Sequence, residues 1–187
     1  MLFRSTSWTD DEDFSLLFDS LLPLHKIFKA RKQRVCIFIT GKGANRSRYE
    51  AEYAELKAIP GLLQTLRVSF LWLDFVDYPK FLQCVDWGLC LHQSSSGLDL
   101  PMKVVDMFGF AELPVIARRF FAIDELVVEE GEGKNGFLFD TKEDLQTLLA
   151  KASLVPEADY LLLKRNVRVF GGKDWGREWA EKVKPLI

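Results

Sequence analysis

Ser94, Ser95, Ser96 and Gly97 stand just past a predicted strand and just before a predicted helix, and Lys103 falls in the first turn of that helix. Hydroxyls and backbone N–H groups carried on small residues at a helix N-terminus are the material of a phosphate cradle. A lysine there adds its full positive charge to the partial charge of the helix dipole, an arrangement that makes sense when a diphosphate occupies the site. Pro101 is tolerated in the first turn because its missing N–H would be unpaired there anyway, so the helix is expected to begin near residue 100. Asp106 follows Lys103 by three residues and projects on roughly the same side, leaving Val104, Val105 and Phe108 to face a sheet. Its carboxylate would accept hydrogen bonds from ribose hydroxyls further along a nucleotide. An ordinary surface ion pair between Lys103 and Asp106 is the plainer alternative.

A second glycine turn, "TGKGANRSR" (40–48), follows the apolar run "VCIFIT". It is neither a P-loop nor a Gly-x-Gly-x-x-Gly fingerprint, because Arg46 and Ser47 replace the context of the third glycine. Gly41 and Gly43 would still let backbone approach a ligand closely; Lys42, Arg46 and Arg48 also read as a solvated helix start. The acidic run "TDDEDF" (9–14) reads as a helix start, capped by Thr9 or Asp10, with Asp11, Glu12 and Asp13 in favourable dipole positions; a metal-binding carboxylate cluster is the weaker alternative. His25 reads as a helix-face residue. His92, ending the strand beside the serine loop, suits a structural or a ligand-contacting role equally. Neither histidine has a His or Cys partner at ligand spacing, and neither a nucleophile elbow nor a Cys-His pair is visible, so hydrolase readings fall behind.

The elements that must position these residues alternate regularly. Strands are predicted at 35–40, 66–73, 86–92, 113–117 and 136–140, with "LFRSTSW" a further strand and loop entered almost at the first residue. Helices are predicted at 12–30, 46–58, 78–85, 100–109, 122–130 and 142–153. Near-continuous apolar strands imply a sheet covered on both faces, hence an α/β, Rossmann-like doubly wound parallel sheet, with ligands at the carboxyl ends of the strands. From about 154 to 187 the pattern is helical only, and Trp175 and Trp179, four apart, are expected to share a face used for core packing or for docking. The expected organisation is a single domain over 1–187, with the βα part at about 1–153.

The chain has 187 residues, 48% of them hydrophobic, enough for one sizeable core. A net charge of −2 leaves no broadly basic surface, so nucleic acid is not an expected partner. Cys36, Cys84 and Cys90 lie in apolar stretches without metal-ligand spacing and read as buried thiols in a reducing compartment. No run approaches the length of a membrane span, and an upstream part missing from the chain is expected.

Taken together, "STSWTDDEDF", "ITGKG", "DYPKFLQCVDWGLCLHQSSSGLDLPMKVVDMFG", "LPVIA" and "NGFLF" resemble the nucleotide-binding half of the chitobiosyldiphosphodolichol β-mannosyltransferase family over nearly the whole chain. That resemblance implies the C-terminal domain of a GT-B glycosyltransferase, in which two Rossmann-like domains face across a cleft. The implied activity is β-1,4-transfer of mannose from GDP-mannose to GlcNAc2-diphosphate-dolichol, with inversion, on the cytosolic face of the endoplasmic reticulum membrane. By the same resemblance Ser94, Ser95, Ser96, Gly97 and Lys103 would contact the diphosphate and Asp106 the ribose. Asp106 would hold the place of the second glutamate of a Glu-x7-Glu motif; the first falls at Leu98, where the commoner pattern is broken, with Asp99 adjacent and offset by one. Gly41, Gly43 and the stretch Leu71, Trp72 and Leu73 would lie near the nucleotide, and Ser5, Thr6 and Ser7 at the interdomain cleft.

The family's membrane anchor and acceptor domain have no counterpart in these residues. The general base required by inversion is expected from the absent half, as is the binding of the dolichol-linked chitobiose; other dolichol-pathway mannosyltransferases are conceivable partners. This chain alone would be soluble in the cytoplasm and would supply donor binding and stabilisation of departing GDP, with neither metal nor other cofactor required. The competing readings are a truncated, non-catalytic paralogue that binds nucleotide or the full-length enzyme, and a related hexosyltransferase using another nucleotide sugar.

Overall fold

A computed structural model describes residues 1–8, 12–94, 96–171 and 175–186. Among these, six strands form one parallel sheet: β1 (Leu2–Ser5), β2 (Val35–Thr40), β3 (Leu66–Leu71), β4 (Trp87–Cys90), β5 (Val115–Arg118) and β6 (Gly136–Phe139). Their order is β3-β2-β1-β4-β5-β6, the doubly wound arrangement that the apolar strands and intervening helices predict. The helices are α1 (Ser15–Ala30), α2 (Arg46–Leu56), α3 (Leu62–Thr65), α4 (Asp77–Leu82), α5 (Met102–Ala111), α6 (Lys142–Ala152), α7 (Glu157–Gly171) and α8 (Trp175–Glu178).

Both faces of the sheet are covered. Strand side chains alternate between them, so Leu2, Ile37, Ile39, Leu89 and Ile116 pack with Leu17, Leu21 and Phe28 of α1 and with Leu145 of α6. Phe3, Cys90, Val115, Ala117 and Leu138 pack on the other face with Val104, Met107 and Phe108 of α5 and Val167 of α7. Thr141 opens α6 with a reciprocal capping box to Asp144.

Several boundaries differ from the sequence expectation. The predicted helix at 122–130 is only a 3₁₀ turn over Phe121–Glu125. Beyond it, buried Asn135 offers the backbone other partners: its Nδ2 donates to Leu126 O at 3.0 Å, and its Oδ1 accepts from Val128 N at 2.9 Å. α1 begins at Ser15, whose N–H donates to Asp13 Oδ1 at 3.0 Å, and its first turn carries no acidic residue. Thus Glu12 and Asp13 precede the helix, while Thr9, Asp10 and Asp11 lie outside the described residues. Pro101 is the N-cap of α5 with extended backbone, and the helix starts one residue later. On α5, Met107 faces the core in place of Val105, which is exposed. Cys90 is buried and Cys36 half-buried, but Cys84, beyond the end of α4, is exposed. His25 is buried, its Nδ1 2.6 Å from Thr65 Oγ1. Trp179 is 40% exposed, so it is no core residue; the side chain of Trp175 lies outside the described residues.

Candidate functional site

β1 and β4 are the neighbours at which the strand order reverses. They pair through Leu2–Trp87 and Phe3–Gly88. The segment after β1 runs to α1 and the segment after β4 to α5, on opposite faces, which opens a crevice at the carboxyl ends, where parallel sheets bind ligands. Ser5 ends β1 and Thr6 and Ser7 follow it; Gly41 and Gly43 follow β2; Leu71, Trp72 and Leu73 end or follow β3; His92 to Lys103 follow β4. The topology therefore brings all the sequence-predicted site segments to one edge of the sheet. A cavity of about 450 Å³ lined by Leu2, Leu24, Phe28, Val35, Ile37 and Trp87 lies at the opposite, amino-terminal edge.

At the centre of the crevice is a carboxylate that the sequence places instead in a helix start. Glu12 and Arg4 are both fully buried, with Arg4 Nη2 3.0 Å from Glu12 Oε1 and its guanidinium 4.4 Å from the Phe14 ring centroid. Lys103 Nζ donates to the same Oε1, and Thr6 Oγ1 donates to Oε2. Burial pushes the Glu12 carboxyl up, but the two cations and the hydrogen bonds from Lys103 and Thr6 outweigh it and hold the group below its ordinary range. The anion beside Lys103 in this structure is thus Glu12. The alternative of a Lys103–Asp106 surface pair is not what forms: Asp106 instead accepts from Tyr78 Oη at 3.4 Å.

Tyr78 joins the candidate site, although no role is expected for it from the sequence. Its hydroxyl contacts both Ser5 and Asp106, and burial drives it up to about 12. Asp106 is half-buried and raised by desolvation, an effect opposed by the Tyr78 hydrogen bond. β1 and α5 are therefore linked twice, through Glu12 and through Tyr78.

The loop after β4 is organised around Asp99. His92 Nε2 lies 2.7 Å from Asp99 Oδ2, while Ser94 Oγ donates to Oδ1, as does Ser96 Oγ at 3.2 Å. Those bonds, from Ser94 first and His92 next, pull the exposed carboxyl down to about 2. Gly97 N donates to Ser94 Oγ at 2.6 Å and Leu98 N to Ser96 Oγ at 3.2 Å, so hydroxyls and amides expected on a phosphate are engaged within the loop. Gly97 has φ +77°, in the left-handed region where a side chain is strained, and Ala122 N donates to its carbonyl at 3.2 Å. Ser95 lies outside the described residues. Leu98 is exposed.

Gly41 and Gly43 each make a close contact within the chain. A Cβ on Gly41 would lie 1.8 Å from Thr6 O, and one on Gly43 1.9 Å from Ser7 O, so their missing side chains admit the β1 loop. Arg46 ties the same edge together, donating to Gly41 O at 3.2 Å and to Leu71 O at 3.4 Å and pairing with Glu50 at 2.7 Å. Lys42 Nζ sits 4.1 Å from the centroid of the Trp72 ring, which is 55% exposed. Among the described residues no group of three or more His, Cys, Asp or Glu is placed to hold a metal ion, and no helix is long and apolar enough to cross a membrane.

The fold is that of GT-B glycosyltransferase domains. The pneumococcal O-GlcNAc transferase GtfA, solved with UDP and GlcNAc, superposes with a TM-score of 0.71 at 14% identity, over 99% of this chain and 34% of that one. The C-terminal domain of a glycosyl transferase group 1 family protein (LpcC) from Francisella tularensis gives 0.64 at 14% identity, over 90% and 80%. In sequence, the chain is 39% identical over 194 residues to the chitobiosyldiphosphodolichol beta-mannosyltransferase of Mus musculus, covering all of this chain and 38% of that protein. It is 36% identical over 206 residues to the UDP-glycosyltransferase TURAN of Arabidopsis thaliana, covering all of this chain and 42% of that one. The chain thus spans about two fifths of the length of these relatives. No family model matches it.

Proposed function

We propose that this chain is the nucleotide-sugar-binding half of a β-1,4-mannosyltransferase that carries mannose from GDP-mannose to GlcNAc2-diphosphate-dolichol. The observation that carries this reading is similarity along the entire chain to relatives bearing that enzyme's name. The crevice at the β1/β4 switch point supports it, with Lys103 at the start of α5.

In such a transfer the acceptor hydroxyl attacks the anomeric carbon and the bond to the diphosphate oxygen breaks on the opposite side. The electron pair leaves with GDP, and the acceptor proton passes to a base outside these residues. This chain's contribution is to hold the donor and to meet the growing negative charge on the diphosphate with Lys103 and the amino end of α5, without a metal. Asp106 and Trp72 are the groups available to a ribose and a base. The setting is the cytosolic face of the endoplasmic reticulum, the acceptor being held by a second domain.

A UDP-sugar donor is the second reading, favoured by the name of the Arabidopsis relative. Calorimetric titration of GDP-mannose, GDP and UDP-GlcNAc in EDTA separates the two. Binding of the guanine ligands that collapses in Lys103→Ala is the expected result. Preference for the uridine ligand would overturn the donor assignment, and no binding by folded protein would leave a non-catalytic relative.

A further inference from the structure

The partner of Lys103 lies across the switch point, 91 residues away in sequence, in an acidic run that reads as a helix start. We propose that Glu12 is a positioning residue that holds the Lys103 ammonium in the crevice, ready for the donor diphosphate; this rests on the donor-site reading above.

The geometry carries the assignment. An ammonium has three donors, and Lys103, with 24% of its side chain exposed, gives one of them to Glu12. Among the described residues no other group accepts from it, which leaves the remaining donors for a ligand entering from the open side. Glu12 cannot follow Lys103 outward, because Oε1 is shared with Arg4 Nη2 at 3.0 Å and Oε2 accepts from Thr6 Oγ1. Its backbone is fixed as well, paired in an isolated antiparallel bridge with His92. Thr6 in turn is held from two sides: its N–H donates to Thr40 O at 2.9 Å, and its Oγ1 accepts from Trp8 N at 2.8 Å. A long, flexible cation is thereby tied to a buried, immobile carboxylate, so little of its rotamer freedom remains to be lost when an anion binds.

The predicted effect is a loss of affinity that disappears when Lys103 is absent. By calorimetry with GDP, Glu12→Gln should weaken binding by about tenfold, the scale of ordering one rotamer-rich side chain. In the Lys103→Ala background the same change should do nothing further. A merely structural role for Glu12 would weaken both backgrounds alike. Additive losses, or wild-type affinity in Glu12→Gln, would therefore overturn the assignment while leaving the donor site intact. Failure of the wild-type chain to bind GDP would overturn the donor reading and this assignment with it.

Because Glu12→Gln strips buried Arg4 of a counter-charge, the paired variant Arg4→Met/Glu12→Gln provides a charge-balanced core for the same cycle. The unsubstituted chain offers a further readout that depends on no change at Glu12. The Lys103 ammonium, assigned by its disappearance in Lys103→Ala, should give a slowly exchanging 15N–1H signal in the absence of ligand. An ammonium exchanging as fast as the surface lysines would refute the tether.

Discussion

Replacing Gly43 by alanine tests whether the glycines after β2 exist for protein packing or only for a ligand. The added Cβ would stand 1.9 Å from Ser7 O and 2.7 Å from Trp8 Cβ. Ordinary contact requires about 3.4 Å or more, so one of the two loops must move by more than an ångström. Neither is free to do so cheaply: Trp8 is buried and stacked on Phe14 with centroids 4.4 Å apart, and Asn45 N donates to Trp8 O at 3.4 Å. Overpacking of this kind costs about 3 kcal/mol, which for a chain of this size lowers Tm by about 10 °C. Thermal unfolding followed by circular dichroism reads the loss without any ligand present. Gly133→Ala is the control, since a Cβ there meets nothing within 4 Å. Equal melting temperatures for Gly43→Ala and the parent would refute the packing argument and return Gly43 to a ligand-facing role.

Glu12 is held below its ordinary pKa of 4.5 in the folded chain, so its contribution is fully present above the unfolded value and is lost as the pH falls through the lower folded value; acid unfolding monitored by fluorescence should be shallower below pH 4.5 in Glu12→Gln than in the parent. Tyr78→Phe removes the hydroxyl that joins Ser5 to Asp106 and should cost about 1 kcal/mol in urea unfolding while raising the Asp106 carboxyl further, as seen in a carbon-13 titration, since the Tyr78 bond is what lowers it. Lys32, exposed and left-handed with φ 55° just past α1, should tolerate Lys32→Gly with a gain of about 0.5–1 kcal/mol, measured as a higher urea midpoint.

The primary structure alone determined the parallel α/β architecture and the end of the sheet at which the candidate site segments gather. Runs such as "VCIFI" and "GLCL" are apolar throughout, the composition of strands buried on both faces. Once strands and helices alternate, the segments that follow each strand must gather at one edge, so placing Ser5, Gly41, Trp72 and Ser94 together required no knowledge of contacts. Helix starts were less legible where side chains compete with the backbone: Asn135 displaced a predicted helix, and the acidic run before α1 went partly into the crevice rather than the first turn. Only the tertiary structure decided that Lys103 is held by Glu12, that Tyr78 joins Ser5 to Asp106, and that Gly41 and Gly43 make room for the loop after β1. Periodicity and turn chemistry act over a few residues, whereas an ion pair across the switch point is set by how β1 and α5 approach after the sheet has closed, and no spacing along the chain records that approach.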